Sequence, residues 1–136
     1  MSTLYTHVYR NLPTHREPTH PGQMLLHEFL GPMGMTQAEF ARRIGVSYVR
    51  LNEIVNARRG VTADTALRFA RFLGTTADMW LGLQTAWDLY HAIHSSSAAE
   101  IEAIEPMQWE SDPDEQAEVD AMAADRTSVP ERRARL

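Results

Sequence analysis

The stretch "TQAEFARRIGVSYVRLNEIVNARRG", residues 36–60, reads as two short helices with almost nothing between them. Thr36 is placed as an N-cap, and Glu39 three residues on completes a capping box. Met35 before the cap and Phe40 after it match a hydrophobic staple. Gly45 stands where the chain needs a left-handed residue to leave the helix. A second N-cap, Ser47, follows at once with Val46 and Leu51 as its staple, and this helix runs to about Ala57. A helix-turn-helix unit needs a sharp turn, a small residue where the helices cross and an apolar set where they meet. Gly45, Ala41 and the group Phe40, Ile44, Val46, Leu51 and Ile54 meet those needs in one frame.

That frame leaves Tyr48, Val49, Arg50, Asn52 and Glu53 facing outward. A helix lying in the major groove shows its N-terminal residues to base edges while the preceding helix crosses the backbone. Asn can bond adenine through two hydrogen bonds and Arg can do the same with guanine. Tyr48 can touch a thymine methyl or bond a phosphate. Gln37, in the first turn of its helix, suits a phosphate contact strengthened by the helix dipole. Arg58 and Arg59, just past the second helix, are placed to clamp backbone phosphates. The tight turn sets a fixed angle, and the decorated helix reads double-stranded DNA.

The net charge of -5 argues against nucleic acid until it is resolved along the chain. Residues 95–136 carry a net of -7 and residues 1–94 a net of +2, so the acidity belongs to the C-terminal extension. All 13 basic residues are arginine, which offers forked contacts to phosphate and guanine. With no cysteine, disulfides, thiol catalysis and Cys-ligated zinc are excluded. There is no apolar run of membrane-spanning length and no signal-like N-terminus, so a cytoplasmic protein is expected.

The chain divides into an N-terminal arm (1–20), a helical domain (21–94) and an acidic C-terminal extension (95–136). In the domain, one helix opens at Pro21, buries Met24, Leu25, Leu26, Phe29 and Leu30, and is expected to stop at Gly31-Pro32. After the central pair, a fourth begins at Thr62, buries Ala66, Leu67, Ala70 and Leu73, and ends at Gly74. A fifth begins at Thr76 and continues through "ADMWLGLQTAWDLYHAI". No segment alternates with period two. The expected fold is all-α, a five-helix domain.

Residues 20–90 resemble the HigA-type antitoxins, a branch of the phage-repressor-like helix-turn-helix superfamily. The motifs that carry the resemblance are the opening "HPG", "MTQAEFARRIGVS", "NARRGVTADTALRFARFLGTT" and "WLGLQ". The resemblance implies a homodimeric repressor that binds its own operator and neutralises a HigB-type, mRNA-cleaving toxin. It places the reading positions on Ser47, Tyr48, Val49, Arg50 and Asn52. Many relatives have Arg or Gln where this chain has Tyr48, so their operators do not transfer to it. A stand-alone transcriptional regulator of the same fold, with no toxin, is the alternative. A protein-interaction module that no longer reads DNA is a third.

In the last helix of the domain, Met79, Trp80, Leu83, Trp87 and Tyr90 recur at helical spacing. Trp80 is expected in the core, and Leu83, Trp87 and Tyr90 in a two-fold dimer contact. A dimer would set two reading helices about 34 Å apart. The histidines suggest metal, but His20 with His27, and His91 with His94, lack a third ligand at any recognised spacing. There is no catalytic triad or phosphate-binding loop, so no enzyme, cofactor or metal is expected. In the extension, Ser97 with Glu100 suggests a cap, and Ile101, Ile104, Met107, Val119 and Met122 suggest amphipathic pieces flanked by acids. Such pieces fit a basic toxin as well as they fit plain disorder, and the N-terminal arm is the competing contact site.

Overall fold

The computed structural model describes residues 12–108 and 113–124. Among them α1 runs in three parts, Pro21–Met24, a π-helical stretch Leu25–Leu30, and Gly31–Met33. It is followed by α2 (Gln37–Ile44), α3 (Tyr48–Val55), α4 (Ala63–Leu73) and α5 (Ala77–Ile93). The short α6 (Ala98–Glu102) lies in the same compact unit, which ends at Ile104. A second unit begins at Glu105 and contains α7 (Pro113–Ala124). The described residues contain no strand.

The expected N-caps Thr36 and Ser47 form, and Thr62 and Thr76 cap the helices expected to begin there. The hydroxyls of Thr36, Ser47, Thr62 and Thr76 accept the backbone N–H of the third residue after them, at 3.1–3.3 Å. Each satisfies one of the donors that a helix start leaves orphaned. Glu39 does not complete the capping box. Its carboxylate is drawn to Arg42 (2.6 Å) and Arg43 (3.8 Å) instead. Gly45 and Gly74 close α2 and α4 at φ values of 74°, in the left-handed region that glycine enters without a Cβ penalty.

Gly31-Pro32 does not end α1. The helix widens before it, and the Gly31 N–H donates to Leu26 O, five residues back. A π turn changes the register locally, so the missing N–H of Pro32 and the bulk of its ring are accommodated rather than breaking the helix. The stop comes at Gly34, with φ 66°.

The core gathers where α1–α5 meet: Leu25, Leu30, Phe40, Ala41, Ile44, Leu51, Ile54, Val55, Val61, Ala66, Phe69 and Trp80 are buried. Phe69 lies against both Phe40 (5.5 Å between ring centroids) and Trp80 (5.1 Å), linking α2, α4 and α5. Trp80 is in the core as its spacing predicts, and its indole N–H donates to Thr75 Oγ1 at 2.8 Å. Leu67 is a correction: it is 61% exposed, and Phe69 takes the buried place on α4. Both fit a helical period with Ala66, Ala70 and Leu73, and the aromatic ring reaches across to its neighbours.

The N-terminus of α1 presses on the C-terminal end of α3. A Cβ on Gly22 would lie 1.9 Å from the Ile54 carbonyl oxygen, so only glycine permits this approach. Gln23 Nε2 donates to Val55 O at 2.7 Å. His20, almost wholly buried, caps α1 by accepting the Gly22 N–H on Nδ1 at 2.9 Å. Beyond α3 the chain turns through Ala57 at φ 59°. Ala57 N–H donates to Ile54 O (3.1 Å) and Arg58 N–H to Glu53 O (2.8 Å), the paired bonds of a Schellman ending.

Three outcomes follow from this packing. Gly22→Ala forces the two backbones apart and lowers the unfolding free energy by about 1–3 kcal/mol or more, measured by urea denaturation. Ala57→Gly relieves a left-handed alanine and raises it by about 0.5–1 kcal/mol in the same assay. Burial holds the His20 imidazole below its ordinary value, against the opposing pull of Asp88. Its contribution is therefore full above the ordinary imidazole range and is lost as pH falls through about 6.5 and below. Urea midpoints measured from about pH 7.5 to about pH 5.5 should fall more steeply for wild type than for His20→Asn, which can still cap.

Candidate nucleic-acid interface

The start of α3 is an open surface. Ser47 is exposed, with its hydroxyl used to cap the helix through Arg50 N–H. Tyr48 is 52% and Val49 66% exposed, and Arg50 is exposed beside them. On the other side of α3, Leu51, Ile54 and Val55 are buried in the core. The buried side holds the helix in place, and the first turn is left for a ligand as wide as a groove. An exposed Val49 beside an aromatic and a cation suits a base edge carrying a methyl group and acceptors.

Asn52 is placed differently from its neighbours. It is half-buried, and its Nδ2 donates to Gln37 Oε1 of α2 at 3.0 Å. Asn56 Nδ2 in turn donates to Asn52 Oδ1 at 3.2 Å and to the Asn52 carbonyl at 2.9 Å. Sequence spacing puts Gln37 and Asn52 on the same surface, but their direct bond is a product of how α2 and α3 cross.

Ion pairing sorts the arginines of this region. Arg42 and Arg43 are engaged by Glu39. The Arg42 hydrogen bond holds the Glu39 carboxyl below the usual carboxylate range, and the Arg42 guanidinium is pushed further up in turn. Arg59 Nε sits 2.8 Å from Glu53 Oε1, so this arginine folds back along α3. Arg50 and Arg58 have no ion-pair partner among the described residues and are exposed. They are the cations available at opposite ends of α3.

Two supports were not foreseen from the sequence. Arg68 Nη1 donates to Ile44 O at 2.8 Å while its Nε bonds Asp64, which ties α4 to the end of α2 at the turn. Gln84 is buried in α5: its Oε1 accepts the Val61 N–H at 2.8 Å and its Nε2 donates to Asp88 at 2.9 Å. It thereby holds the loop that carries Arg58 and Arg59. A glutamine among the apolar residues of "WLGLQTAW" was the available signal.

Leu83 is half-buried and packs against the core. Trp87 and Tyr90 are half-buried as well. The His20 ring meets Trp87 edge-on at 4.9 Å, His91 lies 4.4 Å from Trp87, and Tyr90 lies 4.2 Å from His94. His91 Nε2 is 2.9 Å from Glu17, which brings the end of the N-terminal arm against α5. His20, His91 and His94 thus pack on the aromatic rings of α5, and among the described residues no group of three His, Cys, Asp or Glu is placed to hold a metal ion. Ser97 makes no side-chain cap for α6: its backbone is helical (φ -78°, ψ -10°) rather than extended as a capping residue needs. Ile101, Ile104, Met107, Val119 and Met122 are exposed. No described helix is long and apolar enough to cross a membrane. Residues 1–11, 109–112 and 125–136, which include parts of the arm and the acidic extension, lie outside the described residues.

Residues 26–80 match the helix-turn-helix family model. "Virulence-associated protein I" of Dichelobacter nodosus is 51% identical over 70 residues, which is 52% of this chain and 65% of that protein. The chain therefore spans slightly less than two thirds of that relative's length. "Antitoxin HigA-1" of Vibrio cholerae is 41% identical over 78 residues, covering 57% of this chain and 72% of that one. The solved structure "antitoxin GraA in complex with its operator" superposes with a TM-score of 0.65 at 38% identity, over 73% of this chain and all of that one. With its turn, caps and buried set in the same frame, the chain belongs to the HigA antitoxin family of helix-turn-helix proteins.

Proposed function

We propose that the chain is the antitoxin of a type II toxin–antitoxin pair: as a homodimer it binds operator DNA upstream of its own gene, and it neutralises a HigB-type toxin. The observation that carries the DNA half is the open first turn of α3, with Tyr48, Val49 and Arg50 exposed over a buried Leu51. A protein of the same fold, GraA, has been solved with its operator. In this reading Arg50 addresses a base edge, Gln37 and Arg58 hold phosphates, and Arg59 joins them once it leaves Glu53. Dimerisation through Leu83, Trp87 and Tyr90 of α5 would present two first turns of α3 to successive major grooves.

The toxin half rests on family membership and on charge. An RNA-cleaving toxin must hold a polyanion and is therefore basic. The extension from residue 95 on has a net charge of -7, and Ile101, Ile104 and Met107 offer exposed apolar anchors beside the acids. The reading assigns no catalysis to this chain. The stand-alone regulator shares the DNA half and differs only in lacking the toxin.

Co-purification from the native operon, followed by a gel shift on the upstream DNA, tests both halves. A small basic protein should accompany the antitoxin. A shifted fragment without such a companion would leave the stand-alone regulator. Operator affinity should fall linearly with log salt, with a slope near -0.9 for each phosphate neutralised. Arg50→Ala should cost about 1–3 kcal/mol on the operator and little on random DNA, whereas Arg58→Ala should weaken both equally. Salt-independent binding would remove the repressor reading.

A further inference from the structure

The polar bridge between α2 and α3 determines which residues face DNA. We propose that Asn52 is a positioning residue and not a base reader: it orients the Gln37 amide, with Asn56 locking it in place. This rests on the operator-binding reading above and assigns roles within that surface.

A bidentate contact to adenine needs Oδ1 and Nδ2 of one asparagine side by side, free to meet N6–H and N7. In this chain each end of the Asn52 amide already holds one partner, on two different residues. Nδ2 donates to Gln37 Oε1 (3.0 Å) and Oδ1 accepts from Asn56 Nδ2 (3.2 Å). Asn52 is also half-buried, where Tyr48, Val49 and Arg50 are exposed. Swinging the amide out to a base edge would pull it away from Gln37 and Asn56.

The bond also has a direction. Because the Gln37 carbonyl oxygen is taken by Asn52, its NH2 group is the end left available, and it has no hydrogen-bond partner among the described residues. A phosphate is all acceptor, so it needs donors. Asn52 thus turns the donor end of Gln37 outward, next to the N-terminus of α2, where the helix dipole favours an anion. Without Asn52 the amide can reverse and show its oxygen to the phosphate. The base-facing set then reduces to Tyr48, Val49 and Arg50, and sequence choice lies with them.

The test uses the full chain and the footprinted DNA segment upstream of its gene, with Kd measured for wild type, Gln37→Ala, Asn52→Ala and the double variant. Each single change should weaken binding about tenfold, the loss expected for one hydrogen bond to a charged group. The double variant should be no worse than either single one, because both remove the same contact. The Asn52→Ala loss should be the same on every single-base variant of the site. Since Gln37 is uncharged, the salt slope should not change. Thermal midpoints of the variants and an unchanged base preference at the Arg50 position distinguish lost positioning from a disturbed α3. Additive losses would overturn the proposal, and so would an Asn52→Ala effect confined to one A·T pair. A wild-type chain that does not bind the segment would bring down the operator reading itself, and this assignment with it.

Discussion

The contact on which the open first turn of α3 depends is backbone against backbone: Gly22 of α1 against the carbonyl of Ile54 at the end of α3. A helix can present its first turn to a ligand only if its other end is held. Here the approach of α1, the Gln23 bond to Val55 O and the cap that His20 puts on α1 all act at that far end. They also explain why "HPG" opens the domain. The histidine supplies an acceptor for an orphan N–H, the proline needs none, and the glycine removes the Cβ that would collide. The motif is a clamp on α3, made from three different backbone properties.

The rest of the domain supports the same element from other sides. Phe40, Phe69 and Trp80 form a chain of edge and tilted ring contacts through the core, which sets α2, α4 and α5 around α3. Arg68 fastens the turn by bonding the last carbonyl of α2, and Gln84 fastens the loop after α3. Polar side chains thus bind backbone groups at the turn before α3 and in the loop after it, where no regular ladder can satisfy them. The first turn of α3 is left exposed because everything else about the helix is already engaged.

Much of this was legible before the structure. Caps are local chemistry, and Thr36, Ser47, Thr62 and Thr76 all bond as their positions predict. Turn glycines are equally local, as Gly45 and Gly74 show. The burial of Phe40, Leu51, Ile54 and Trp80 followed from helical period, since one face had to be core. Legibility failed where two answers shared one pattern. Leu67 and Phe69 both fit α4, and the direction of the neighbouring rings selected Phe69. Gly31-Pro32 looked like a stop, but a π turn let the helix through.

The site shows the same division. Sequence by itself determined the fold class, the helix-turn-helix frame and the exposure of Tyr48, Val49 and Arg50, because period, caps and turn residues act over a few positions along the chain. It also located the acidity in the extension. Only the tertiary structure decided how polar side chains divide among themselves. Asn52 bonds Gln37 fifteen positions away, Arg59 folds back on Glu53, and Arg50 and Arg58 remain unpaired among the described residues. Those outcomes depend on where helices cross, and a hydrogen bond between side chains on different helices leaves no periodic trace in the sequence.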